Sequence, residues 1–172
     1  GPMRAADGDP FSFRAFSLDA TVFVHRGARY MVWAEKVGVG KQISNLYIAR
    51  MASPAKLATV QVLLTTPDYG WERGDFWVNE GPAVLQRDGK VFLTFSANTT
   101  GELYCMGMLW AEEGADLLDP ANWTKLRRPV LQSDGDKEMH GPGHNCFVKD
   151  EDGVTDLCVF HARQYDKMEG NP

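Results

Sequence analysis

The chain lacks any run of 18 consecutive apolar residues, so no segment reads as a membrane-spanning helix and no membrane partner is expected. Basic residues are also sparse. Its 18 Lys and Arg stand against 23 Asp and Glu for a formal charge of -5, and Arg127-Arg128 is the only adjacent basic pair. A phosphate backbone needs a stripe of Lys and Arg, so nucleic acid is excluded as a partner. Cysteine is scarce: Cys105, Cys146 and Cys158 are an odd number without zinc-finger spacing, and they read as free buried thiols rather than a disulfide or a zinc site. Helix signals are nearly absent, with one short helix predicted over 111–118. The opening Gly1-Pro2-Met3 resembles the remnant of a removed purification tag, which hides any native targeting segment and leaves localisation open.

What the chain does have is 44% hydrophobic residues over 172 positions, enough to bury a core. They follow one pattern three times: a polar residue, an apolar strand, a Gly turn and a second apolar strand. The first copy is Asp19 to Gly27 followed by Ala28 to Trp33, and the second is Glu80 through Asp88-Gly89 to Phe95. The third runs from His144 through Asp152-Gly153 to Phe160. β-Branched and aromatic residues around such turns predict hairpins. Two further strands follow each of the first two hairpins, Leu46 to Met51 with Val60 to Leu64, and Leu103 to Trp110 with Pro129 to Leu131. Ser53-Pro54 and Asp119-Pro120 supply turn starters between them.

Serial four-stranded antiparallel units predict an all-β propeller whose blades bury their faces against one another. The units cover about 19–66 and 80–132, with a partial one from 144, so residues 1–172 read as about two and a half blades. A ten-stranded β-sandwich fits the alternation equally well. The spacing of Asp19, Glu80 and His144, 61 and 64 residues apart, favours the propeller, where inner strands begin near a common axis. Each of the three also has a plainer reading, as a strand cap or, for His144, as a hydrogen-bonded core imidazole. Gly81-Pro82 and Gly141-Pro142-Gly143 beside them suggest close backbone approach. Two carboxylates in one pocket are the minimum for cleaving a glycosidic bond, one protonated to donate and one ionised.

Ser17 to Phe23, Val78 to Leu85 and Gly141 to Asn145 resemble motifs of glycoside hydrolase family 43, especially its α-L-arabinofuranosidase-like members. Tyr69 to Glu72, Tyr104 to Leu109, Asp119 to Trp123 and Phe160 to Arg163 agree, so the resemblance spans nearly the whole chain. It implies a five-bladed β-propeller and inverting cleavage of terminal α-L-arabinofuranosyl or β-xylosyl residues from plant cell-wall saccharides. Glu80 then matches the general acid, and Asp19 the aspartate that orients it and adjusts its pKa. His144 matches the histidine near the axis, which contacts substrate or, commonly through water, a structural calcium-like or sodium-like ion. No cofactor is required for the chemistry.

The family's general base sits one blade earlier, where this chain has only Asp7 and Asp9, and neither fits the blade spacing. The chain stops at Asn171-Pro172, inside a unit, so the base and the closing blades are expected to be missing from it. A homodimer completing the ring is one expected remedy. The alternative from another class is a noncatalytic carbohydrate-binding propeller fragment, with Trp77, Trp71 or Trp33 stacking on sugar faces, although Trp71 and Trp77 read equally as core. A Trp-Asp repeat propeller is disfavoured, because the dipeptide and its shorter period are absent. A family 32-like ring is disfavoured because Glu80 precedes Gly81 rather than a Cys.

Overall fold

A computed structural model of the chain describes residues 1–39 and 41–165, so Asn171-Pro172 lies outside them. Among the described residues eleven strands run in chain order: β1 Ser17–His25, β2 Ala28–Val39, β3 Lys41–Ser53, β4 Lys56–Leu57, β5 Val62–Thr65, β6 Trp77–Arg87, β7 Lys90–Ala97, β8 Cys105–Glu112, β9 Thr124–Lys125, β10 His140–Lys149 and β11 Asp156–Arg163. Strands β1, β2, β3 and β5 form one antiparallel meander, with β4 folded back on the end of β3. Strands β6 to β9 form a second, and β10 pairs with β11 apart from both. Among the described residues the two meanders pair in parallel at Ile43 with Trp77 and Ser44 with Val78. The described strands thus form two four-stranded units and a separate hairpin.

The turns follow from the residues in them. Arg26-Gly27 and Asp88-Gly89 close the first hairpin of each blade, and both residues of each pair have positive φ. That geometry matches the right-handed twist of the strands it joins. The predicted helix over 111–118 does not form. Strand β8 runs on to Glu112, and Asp119 instead caps a single 3-10 turn, Pro120–Asn122, by accepting the Ala121 N–H. The fourth strand of the second blade is also displaced from its expected place, because Pro129 has no N–H to give a ladder. The chain instead pairs with β8 at Thr124–Lys125, leaves it, and touches it again where Met106 bridges Leu131.

Packing between the two whole blades makes the main core. Val32, Ala34, Leu46 and Ile48 of the first blade share a cluster with Val91, Leu93, Phe95 and Leu109 of the second. Burying such side chains stabilises by about 1.5–3 kcal/mol each. The alternate residues Met31 and Trp33 point to the opposite face of β2, where Met3, Ala6 and Phe13 cover them. Buried Glu35 ties that segment down, accepting hydrogen bonds from the N–H groups of Phe13 and Ala15 and from the Trp33 indole. The third hairpin is less covered: Val159 is 51% exposed and Val148 45%. All three cysteines are free, but only Cys105 is buried, so the expectation of buried thiols fails for Cys146 and Cys158. Those two lie on the β10–β11 hairpin, which pairs with no further strand among the described residues.

Candidate active site

The inner strand of each unit carries the same irregularity. Pairing slips by one residue between Leu18 and Thr21 in β1, Glu80 and Ala83 in β6, and Gly143 and Cys146 in β10. Each slip is a β-bulge, which bends a strand and re-aims a side chain. The bulge residue has left-handed φ in all three: 54° at Asp19, 54° at Gly81 and 50° at His144. Asp and His are among the few side-chain-bearing residues that adopt this region, and glycine adopts it without strain. The structural repeat therefore aligns Asp19, Gly81 and His144, and Glu80 sits one position before the bulge. The sequence spacing taken from Glu80 is off by one residue for this reason.

The bulges bring the three expected residues together. One ligand atom from each of Asp19, Glu80 and His144 lies within 4.8 Å of the others. Oδ2 of Asp19 accepts the Gly81 N–H at 3.1 Å, and its Oδ1 is 3.9 Å from Nε2 of His144. The hydroxyl of Tyr104, in the loop entering β8, donates to Oε1 of Glu80 at 2.8 Å. The main-chain N–H of His144 donates to the Ser96 hydroxyl at 2.6 Å. A methyl group at Gly81 would stand 3.1 Å from Nδ1 of His144, so the missing side chain makes room for the imidazole.

Burial pushes the Glu80 carboxyl above its ordinary range. The Tyr104 hydrogen bond opposes the rise, the Asp19 charge adds to it, and His144 and Lys36 pull it down. Burial also raises the Tyr104 phenol far above its usual value, with the Glu80 charge contributing, so it stays a hydrogen-bond donor across the accessible pH range. A carboxyl whose pKa is raised, beside a second carboxylate, is the kind of pairing that acid catalysis uses.

Glu80 opens into a cavity of about 190 Å³ that Phe76, Val78 and Lys36 also line. Phe76, Val78 and Glu80 alternate along the chain and share a face, as the pleat dictates. Trp77 falls on the other face, where the Arg73 guanidinium lies 4.5 Å over its ring, so Phe76 rather than Trp77 lines this cavity with Glu80. On that other face Asn79 is also held, donating to Oε1 of the fully buried Glu72.

The cluster does not fit a directly ligated calcium or sodium ion. Calcium takes about 6–8 oxygen ligands. Here two carboxylates and one imidazole converge, with one oxygen of each carboxylate already accepting from Gly81 or Tyr104. Asp9 is occupied elsewhere: its carboxylate accepts from the N–H groups of Phe11 and Ser12 and from the Ser12 hydroxyl.

Tyr104 was not singled out from the sequence as a site residue. It stands inside the Tyr104 to Leu109 motif, but outside the repeating position that marks Asp19 and His144, so periodicity carries no signal for it.

Known proteins match the chain over nearly its whole length. The family described as "Glycosyl hydrolases family 43" matches residues 5–172. An extracellular exo-alpha-(1->5)-L-arabinofuranosidase of Streptomyces chartreusis is 46% identical over 161 residues, covering 94% of this chain and 49% of its own length. Alpha-L-arabinofuranosidase 43 of Humicola insolens is 45% identical over 158 residues, covering 91% of this chain and 33% of that protein. The crystal structure of an alpha-L-arabinofuranosidase from Lactobacillus brevis superposes with a TM-score of 0.89 at 51% identity, over 95% of this chain and 50% of that one. A thermostable family-43 glycoside hydrolase superposes with a TM-score of 0.80 at 30% identity, over 93% of this chain and 53% of that one. The chain thus spans about half, or less, of the length of the proteins it matches, and its blades are part of a five-bladed propeller.

Proposed function

The chain belongs to glycosyl hydrolase family 43, and from that premise we propose that it carries the acid side of an active site that removes terminal α-L-arabinofuranosyl residues from saccharides. The substrate class is that named for the relatives from Streptomyces chartreusis and Humicola insolens. The observation that carries the reading is the convergence of Asp19, Glu80 and His144 from three successive bulged strands, with Glu80 half-buried and its affinity for a proton raised.

In this proposal the protonated Glu80 donates to the glycosidic oxygen as the bond to the anomeric carbon breaks. The Asp19 charge raises the proton affinity of Glu80, and the hydrogen bond it accepts from the Gly81 N–H fixes the strand that bears the acid. His144 borders the same space and is half exposed, placed to meet a sugar hydroxyl. Phe76 supplies an apolar face to the ring. An inverting reaction also needs a carboxylate base on the far side of the sugar, about 6.5–9.5 Å from the acid, to take a proton from the attacking water. With Asp9 committed to its own turn, that base is supplied from outside the Asp19, Glu80 and His144 cluster. An ion on the axis enters only as a structural element that His144 reaches through water.

Release of nitrophenol from the α-L-arabinofuranoside, with the β-xyloside as comparison, tests the reading. Azide, added as a small nucleophile needing no base, should raise turnover of the arabinofuranoside by the chain. Glu80→Gln should lower the rate on arabino-oligosaccharides, whose leaving groups need protonation, by about 10²-fold or more. If neither protein cleaves any substrate with azide present, while calorimetry detects arabinose binding, the chain is a noncatalytic carbohydrate-binding module instead.

A further inference from the structure

Tyr104 makes a contact with Glu80 that the acid's role does not by itself require. Its hydroxyl reaches Oε1 at 2.8 Å and leaves Oε2 free of it. The direction of the bond is set by the groups behind it. The Ser96 hydroxyl accepts the His144 main-chain N–H, so its own hydrogen is free to point at the Tyr104 oxygen. The phenol hydrogen is then left for Glu80. The whole row is held from above by β10, where Gly143 lies so close that a methyl group there would stand 2.3 Å from the Tyr104 ring and 3.0 Å from the Ser96 oxygen.

We propose that Tyr104 is a positioning residue that makes Oε1 of Glu80 a fixed acceptor and so leaves the transferable proton on Oε2. A carboxylic acid has one proton and two oxygens, and an oxygen already accepting a strong hydrogen bond is the less basic of the two. Without Tyr104 the proton is shared between both oxygens and the carboxyl can rotate. The row from His144 through Ser96 and Tyr104 to Glu80 also joins the third hairpin to the acid in the second blade. This inference rests on Glu80 as the acid, but its central observable, the state of the Glu80 carboxyl, can be read without turnover.

The groups facing Glu80 are Asp19 from β1, Lys36 from β2, Tyr104 and His144, with His161 of β11 stacked 5.7 Å from the Tyr104 ring and 6.3 Å from that of His144. Tyr104 opposes proton binding at Glu80, so its removal raises the affinity of the carboxyl for its proton. The test is a carbon-13 NMR titration of the Glu80 side-chain carboxyl in the full chain, wild type against Tyr104→Phe and Ser96→Ala, with Glu80→Gln identifying the resonance. The expected result is an upward pKa displacement of about half a unit or more in Tyr104→Phe, and a smaller one in the same direction in Ser96→Ala. In the azide assay, Tyr104→Phe should lower kcat on poor leaving groups more than on nitrophenol, with KM little changed. An unmoved or lowered Glu80 titration in folded Tyr104→Phe overturns the positioning role. A displaced titration with no effect of Glu80→Gln on cleavage would keep the hydrogen-bond role and sink the catalytic assignment of Glu80.

Discussion

Nζ of Lys125 lies 2.6 Å from Oε1 of Glu72, a carboxylate with no solvent exposure. The other oxygen of Glu72 accepts the N–H groups of Asp68 and Tyr69, each at 2.7 Å. Oε1 also accepts from Asn79, which in turn accepts from the Thr65 hydroxyl. This row runs from β5 of the first blade through β6 to β9 of the second, and it passes through Asn79, the residue next to Glu80. The Glu72 charge is offset by one cation and three N–H groups, the condition under which a buried charge is tolerated.

Lys125→Met should therefore be severe, because it strands the Glu72 charge rather than removing a surface pair. The expected cost is about 3–5 kcal/mol. Calorimetry should show the melting midpoint falling by roughly 10 °C for a chain of this size. The double change Lys125→Met with Glu72→Gln should recover part of the loss, since the uncompensated charge is gone. A double variant less stable than Lys125→Met would contradict this.

Gly81 and Gly27 separate two reasons for needing glycine. Both have positive φ, 54° and 77°, so alanine costs about 1–2 kcal/mol at either. Only Gly81 faces a neighbour, the His144 imidazole, while a methyl at Gly27 meets open space. Gly81→Ala should be the more destabilising in urea titration and should also shift the His144 ring resonances. Equal losses for both variants would mean that φ alone explains Gly81.

Much of this arrangement was legible because the bulges use distinctive residues. Asp19 and His144 are side-chain-bearing residues in a left-handed conformation, so they stand out at each strand start, and the blades follow from the hairpins they open. The register itself was not legible. In the second blade a glycine takes the bulge position, and the functional Glu80 moves one residue upstream. The polar row at Glu72 and Lys125 was hidden for another reason: its members lie 53 residues apart in the chain and meet only when the blades fold.

The turn between β10 and β11 gives a prediction at acid pH. Asp152 accepts from the Thr155 hydroxyl and from the N–H groups of Thr155 and Val154, which hold its carboxyl down at about 2. A lowered folded pKa contributes stability above the unfolded value of 3.8 and loses it as pH falls through about 2. Amide exchange across Cys146–Lys149 should therefore quicken between about pH 4 and 2 beyond the intrinsic rate. Asp152→Ala should show the faster exchange already at pH 5. Protection that is the same in both proteins at pH 5 would remove the turn from the account.

Glu80 gives the opposite sign. Its folded pKa is raised above 4.5, chiefly by burial, so the stability it contributes is whole below the unfolded value and is lost as pH rises through the folded one. Glu80→Gln keeps the shape and has no charge to bury. It should match the wild type in urea titration near pH 4 and become the more stable protein as pH climbs past the Glu80 titration. The same proton governs the proposed chemistry, because only the protonated acid can donate, so azide-supported cleavage of poor leaving groups should fall over the window in which the stability difference opens. The two curves come from independent measurements, one of unfolding and one of rate. Coincident midpoints tie both to a single carboxyl, whereas a rate that falls while the two stabilities stay parallel assigns the limb to another group.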